Sequence, residues 1–591
     1  MNAKALLRCI LIAIVVAVAG CTTSPNPTNP PGQQPPAEPH ATVKSESPAK
    51  PPQVSPTPIP APGPLAQRNL AATPTPPAAD AIRSRELKAS NEAFAQGFVM
   101  SVPPQPLPGT INRENYTHYD DNPVHAVAEA PVSTFSIDVD TGSYTNVRRM
   151  LEEGRLPPAD AVRAEEFINY FDYAYAPPAE RRTPFSVTTE LAPAPWNAER
   201  QLLLVGIQGY RVPVAQIPAV NLVFLVDTSG SMNEPSKLPL LKASLKQLVP
   251  KLRANDRIAI VTYAGSAGLA LASTPGDQHA RIAAAIDAMQ PAGSTNGQAG
   301  IELAYSEAQQ GFIRGGVNRV ILATDGDFNV GQVGIDALKS EIAEKRRSGI
   351  ALSTLGFGEG NYNDAMAVAL ADVGNGSHHY IDSLGEARKV LVDEMSSTLL
   401  TIARDVKIQV EFNPARVSEY RLIGYVKRML RREDFNNDAI DAGEIGAGAN
   451  VTALYEITPA GSDAARIDPL RYGEHPVVES NRNELAWLRL RYKLPGADKS
   501  RLIERAVNST SDETSPSERL RFAAAVAAFA ESLRGGKYLD NYTLPQIADL
   551  ARAARGDDAH GYRAGFVRLV ELTEGLRTPQ PGQPSKAVTQ R

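Results

Sequence analysis

The sequence predicts an α/β protein: a doubly wound, mainly parallel sheet inserted in a β-rich platform, followed by a helical part and preceded by a disordered stalk. Three observations predict it. Between about residues 218 and 401, short apolar runs alternate with helix-length segments of 3.6-residue periodicity, the pattern of parallel strands crossed over by helices. On both sides of that stretch apolar and polar residues alternate strictly, as in half-buried antiparallel strands. Ahead of both, residues 22–80 are rich in Pro, Ala, Thr, Ser and Gln and hold too little apolar surface to fold.

In chain order, residues 1–21 place Lys4 and Arg8 beside an apolar run that ends at Cys21, the layout of a secretory signal. The ending Val18-Ala19-Gly20-Cys21 resembles the bacterial lipobox. That resemblance implies cleavage before Cys21, lipidation of its thiol and a membrane-tethered mature chain; an uncleaved membrane anchor is the alternative. Thr22 in place of Asp implies, on the same resemblance, the outer membrane of a Gram-negative-type envelope. Cys9 and Cys21 are the only cysteines, so the mature chain offers no thiolate metal site, Cys nucleophile or disulfide. A net charge of −5 without a basic block gives no ground for nucleic-acid binding.

Residues 81–217 read as an α+β segment: a strand over 135–139, a helix carrying Tyr144, Val147 and Leu151, and a second over 165–171. Strands follow at 185–190 and 202–208, separated by the turn-rich APAPWNAE. Within 218–401, Leu238, Leu241, Leu245, Leu248 and Leu252 form a helical stripe, and RIAIVTY at 257–263 is a buried strand. Helices are expected over 279–289, after Thr295, over 334–347 and over 384–400, with strands at 319–324 and 351–357. The platform resumes over 402–496, where Val406, Ile408, Val410 and Phe412 alternate, as do Val451, Ala453, Tyr455 and Ile457, and Ala486, Leu488, Leu490 and Tyr492. Residues 497–576 are helical, with Gly535-Gly536 as a stop and Thr543 as a cap, and 577–591 form a disordered tail.

The chemistry concentrates at strand ends. VFLVDTSGS at 223–231 runs a strand into Asp227, Ser229 and Ser231, a carboxylate and two hydroxyls suited to a hard divalent cation. Thr295 precedes a helix, and Asp325 closes the strand over 319–324. Strand ends line the crevice where open α/β sheets bind ligands. D-x-S-x-S, then Thr, then Asp resembles the metal-ion-dependent adhesion site of von Willebrand factor type A domains, a Rossmann-like fold. The resemblance implies that Asp227, Ser229, Ser231, Thr295 and Asp325 hold a divalent cation, Mg²⁺ first and Mn²⁺ or Ca²⁺ as alternatives. It further implies a partner protein that completes the ion's shell with an Asp or Glu. A structural metal site is the alternative, and turn or helix-cap chemistry would account for the Asp and Ser residues without a metal. FNPARVSEYRLIGY, REDFNNDAIDAGEIGAG and the strand after them resemble a family of bacterial von Willebrand A lipoproteins with an uncharacterised C-terminal region.

Three further motifs compete. Val139-Asp140-Thr141-Gly142-Ser143 invites comparison with aspartic peptidases, but no second D-T-G exists to share a proton with Asp140. Asp434, Asn436, Asp438, Asp441 and Glu444 have the odd-position acids of a calcium loop, yet Ala439 and Ile445 break the EF-hand pattern. His378 and His379, adjacent on a strand, are expected on opposite faces. No phosphate loop or G-x-S-x-G turn occurs, so the expectation is a binding protein and not an enzyme.

Overall fold

The computed structural model describes residues 113–180, 182–293, 297–326, 334–468, 483–508 and 515–578. The signal, lipobox and stalk, Thr295 and almost all of the tail lie outside the described residues.

The chain enters at Arg113, whose N–H donates to the Gly360 carbonyl at 2.7 Å, and Asn115 N–H donates to Tyr362 O at 3.0 Å. Strands β1 (His125–Ala126) and β2 (Val132–Ser136) follow, then helices α1 (Gly142–Glu152) and α2 (Ala164–Asn169). The strand expected over 135–139 lies earlier because Asp138 turns the chain, its Oδ1 accepting from Asp140 N–H at 3.0 Å. β3 (Phe185–Ala194) and β4 (Asn197–Gly209) form one long hairpin, and the broad turn expected at APAPWNAE shrinks to its centre. β3 is an edge strand, the position in a sheet that tolerates a proline such as Pro193.

The inserted domain comprises β5 (Val220–Asp227), α3 (Leu238–Leu248), β6 (Arg257–Tyr263), β7 (Ala267–Pro275), α4 (His279–Ala288) and α5 (Gly297–Gln310). It continues with β8 (Val317–Thr324), α6 (Ile335–Lys345), β9 (Ala351–Gly356), α7 (Asp364–Val373), β10 (His378–Tyr380), α8 (Leu384–Arg388) and α9 (Met395–Leu399). Sheet order is β10-β9-β8-β5-β6-β7, parallel except for β7. Every residue of β5 is buried, because Leu222, Phe224 and Val226 face the α3 stripe while Val223 and Leu225 face α5 and α6. The single helix expected over 384–400 is broken by a π-helical turn, Lys389–Asp393, which sets the Lys389 ammonium 4.2 Å from the Tyr170 ring centre.

The platform resumes with β11 (Thr401–Phe412), β12 (Val417–Ile423), β13 (Ile445–Gly446), β14 (Asn450–Pro459), β15 (Glu484–Lys493) and β16 (Arg501–Asn508). Two antiparallel sheets, β1-β12-β14-β4-β3 and β13-β11-β15-β16 with β2 beside β11, enclose one apolar core. The α/β domain is therefore spliced between β4 and β11 of a sandwich. β14 is buried on both faces, against the expectation of half-burial: Tyr455 fills the sandwich while Leu454 lies under a helical layer. That layer comprises α1, α2, α10 (Glu518–Leu533), α11 (Leu544–Ala553) and α12 (Tyr562–Arg577). The chain leaves α10 through Gly535 and Gly536 at φ +111° and +72°, and Thr543 forms a capping box with Gln546. Phe167, Phe171, Phe522, Phe529 and Phe566 interlock at its centre. Phe529→Ala is expected to lower the unfolding free energy by about 3–5 kcal/mol, read as a shifted denaturant midpoint; an unchanged midpoint would mean the aromatic cluster does not hold the layer.

Candidate metal centre

β5 and β8 are parallel neighbours in register, Val226 opposite Ala323, so their carboxyl ends bring Asp227 and Asp325 to one place. Both carboxylates are fully buried. Asp227 Oδ1 accepts from Ser229 N–H at 2.8 Å, and Oδ2 accepts from the Tyr263 hydroxyl at 3.2 Å and, at 3.5 Å, from Thr324 Oγ1. Ser229 Oγ and Ser231 Oγ stand 3.0 Å apart. The loop is stitched to its neighbours by Thr228 N–H to Tyr263 O at 2.9 Å, Gly230 N–H to Gly293 O at 3.1 Å and Ala292 N–H to Thr228 O at 2.7 Å. Of the five expected residues, four meet in this way. Burial pushes the Asp227 carboxyl up to about 6, helped by the nearby Asp325 and opposed by its hydrogen bonds. Two buried carboxylates with adjacent hydroxyl oxygens are a donor set that fits a hard divalent cation.

Two participants escape sequence reading. Lys237 Nζ donates to Asp325 Oδ2 at 3.1 Å and to Asn361 Oδ1 at 3.2 Å, and Asn361 Nδ2 donates to Asp325 Oδ2 at 3.3 Å. A lysine ten residues after Asp227 was visible as a signal; Asn361 was not, since its role depends on how the loop after β9 folds. That loop approaches closely at Gly326, where φ is +90° and an added Cβ would lie 2.1 Å from Asn363 N.

The competing motifs fold into a different site. Asp140 belongs to the turn that docks the leading segment on β10: its Oδ1 accepts from His378 N–H at 2.8 Å, and Thr141 Oγ1 meets His379 Nδ1 at 3.1 Å. Lys427 Nζ sits among Asp138, Asp140 and Glu166 at 3.0, 3.3 and 3.2 Å, an ammonium where those three carboxylates could otherwise gather a metal. Burial and the neighbouring Asp138 push Asp140 up to about 7, while Arg428 and Lys427 outweigh burial and hold Asp138 down. The two histidines do face opposite ways, His378 to Thr354 and Tyr362 and His379 to Thr141 and Ser377. The acids of 434–444 do not converge. Asp434 caps Arg431 N–H, Asp438 pairs with Arg491, Asp441 with Arg346, and Glu444 accepts from Thr401 and Asn375.

A sheet of this order carrying these residues at its strand ends defines a protein built round a von Willebrand factor type A domain. The family model of that domain matches residues 221–394, one described as "von Willebrand factor" matches 110–204, and one described as "Uncharacterized protein YfbK, C-terminal" matches 397–576. Over 477 residues the chain is 53% identical to the uncharacterized protein YfbK of Escherichia coli (strain K12), covering 79% of this chain and 82% of that one. The chain belongs to the YfbK family. The uncharacterized protein sll0103 of Synechocystis is 28% identical over 187 residues, 31% of this chain and 43% of its own. Among solved structures, a von Willebrand factor type A protein from Catenulispora acidiphila covers 63% of this chain and 87% of its own at 16% identity and a TM-score of 0.36. Proximal thread matrix protein 1 of the mussel byssus, with a zinc-occupied MIDAS motif, covers 30% and 45% at 25% identity and a TM-score of 0.25. Both likenesses are loose.

Burial pushes the His379 imidazole down to about 3, with His378 and Lys389 adding to the shift. Below about pH 6.5 only the unfolded chain takes up that proton, so the contribution of His379 to stability falls as pH falls. Relative to His379→Gln, the wild type is expected to lose about 1.4 kcal/mol per pH unit between about pH 6 and 4 in denaturant titrations. A parallel pH response in the two proteins would contradict the assignment.

Proposed function

We propose that the protein is a lipid-anchored component of a Gram-negative-type cell envelope that binds a partner protein through a divalent cation in its von Willebrand A domain. The observation that carries this reading is the buried Asp227–Asp325 pair, flanked by Ser229 and Ser231, at the carboxyl ends of adjacent parallel strands. Asp227, Ser229, Ser231, Thr295 and Asp325 would hold the ion, Mg²⁺ by preference because two carboxylates and neutral hydroxyls suit a small hard cation. Such an ion would supply Lewis acidity toward a partner's Asp or Glu. Asp227 and Asp325 contribute the negative charge, and the turn from Thr228 to Gly230, tied to the loops after β6 and α4, keeps the serine hydroxyls in place.

The function is binding and not catalysis. Asp140, the one residue with a peptidase-like motif, is occupied by Lys427 and the β10 backbone. A purely structural ion is less well supported, because Lys237 and Asn361 already hold Asp325 without one. In this reading Cys21 carries the lipid.

Three variants test the reading. Asp227→Asn is expected to weaken Mg²⁺ binding by at least about a hundredfold in calorimetry and to abolish Mg²⁺-dependent capture of envelope proteins, with little change in unfolding. Wild-type affinity in that variant would remove Asp227 from the site. Asp325→Ala carries an additional penalty of about 3–5 kcal/mol in stability, since it leaves the Lys237 charge buried without its carboxylate. Cys21→Ser is expected to abolish incorporation of labelled palmitate and to release the protein from the membrane fraction; retained label would exclude Cys21 as the lipid site.

A further inference from the structure

Lys237 has no place in the ligand set, yet the fold makes a slot for it. It precedes α3, and its stem lies along Gly358, where an added Cβ would fall 2.4 Å from Lys237 Cγ and Cε. Only a residue without a side chain leaves that path open, and Gly358 is at φ +73°. The ammonium ends 3.1 Å from Asp325 Oδ2, 3.2 Å from Asn361 Oδ1 and 3.7 Å from Glu234 Oε2. The Lys237 side chain is 4% exposed and that of Asp325 0%, whereas Glu234 is 58% exposed and its charge is screened by solvent.

The buried charges therefore sum differently from those of a plain two-carboxylate site. Among the described residues, Asp227 and Asp325 contribute two negative charges and Lys237 returns one, leaving the centre at −1. A divalent cation takes it to +1. One carboxylate from outside then brings it to zero. Without Lys237 the same cation would already neutralise the centre, and an incoming carboxylate would make it negative. Uncompensated charge in a buried site is unfavourable, so the lysine opposes the bare ion and favours the ion together with an anion.

We infer that Lys237 is a built-in counter-cation that makes divalent-ion binding and carboxylate binding depend on each other, so that the site holds its ion firmly only when an acidic group of the partner is present. The inference rests on the metal-dependent reading above and adds to it the order of dependence. By reciprocity, whatever factor a carboxylate adds to ion affinity the ion adds to carboxylate affinity. The partner is thus an acidic side chain or terminus and not a neutral or basic one, and free Mg²⁺ at ordinary concentrations does not saturate the site alone.

The experiment is calorimetric titration of the full-length protein with MgCl₂ in sodium chloride and in sodium acetate of equal ionic strength, acetate serving as the carboxylate probe. Lys237→Gln keeps an amide donor for Asp325 but removes the charge; Lys237→Arg keeps the charge. Wild type is expected to bind Mg²⁺ more tightly in acetate than in chloride. Lys237→Gln is expected to bind Mg²⁺ in chloride about tenfold or more tighter than wild type, the Coulombic effect of one charge a few ångströms away at an effective dielectric of about 20, and to gain little from acetate. Lys237→Arg is expected to restore the acetate dependence, which a lysine serving only to hold Asp325 in place would not predict. Thermal unfolding in chelator confirms that each variant is folded. If Mg²⁺ binds the wild type but not Asp227→Asn, and Lys237→Gln shows wild-type affinity and acetate gain, the role of Lys237 is overturned while the metal site stands. If the wild type takes up no Mg²⁺ in either buffer, both fall together.

Discussion

The Lys427 ammonium, enclosed by Asp138, Asp140 and Glu166, is the interaction on which the assembly of this chain depends. Each of its partners also has another contact. Asp140 accepts from the backbone of β10, and Asp138 pairs with Arg428, which in turn reaches Asp372 on α7. Glu166 accepts from Ser143 N–H and pairs with Arg163, and Arg163 pairs with Asp364, also on α7. One buried network thus joins the leading segment, the sandwich and the inserted domain. Such networks add little net stability, because desolvation offsets attraction, but they tolerate few alternative arrangements. The sandwich and the α/β domain are thus joined through a buried network of charged groups.

The metal centre lies outside this network and is organised on a smaller scale. Its carboxylates come from two adjacent strands, its hydroxyls from the turn after the first, and its ammonium from the start of the following helix. Asn361 arrives with the loop to which Arg113 and Asn115 are bonded. The large network therefore sets where the domain points, and the small one sets what it can hold.

How much of this was legible in the sequence follows the range of the interactions. The bounds of β6 and the stripe of α3 were plain because periodicity is local, and Asp227, Ser229, Ser231 and Asp325 were plain because strand ends are recognisable. α7, DAMAVALADV, escaped because an alanine-rich helix buried against a sheet has no contrasting polar face, whereas β10 was read as a strand from His378 and His379. Half-burial was wrong for β14 because alternation cannot show a second layer packed on the far side. Lys237 was not singled out, because what gives it a role is its buried contact with Asp325, 88 residues further on. The string at Asp140 invited comparison with a catalytic turn, and only the fold shows that a lysine, Lys427, faces it.

The bonds from Arg113 and Asn115 to residues 360 and 362 have a mechanical consequence. A pull applied at Arg113 meets the folded part beside Asn361, which bonds to Asp325. An opposing pull applied at Asp325 would be carried through this loop. Glu114, between the two bonded residues, also pairs with Arg149 on α1 and accepts from Gly360 N–H, so the contacts that meet such a pull first are polar and not the core of any domain. Peeling them would release the loop that carries Asn361 before any sheet is disturbed.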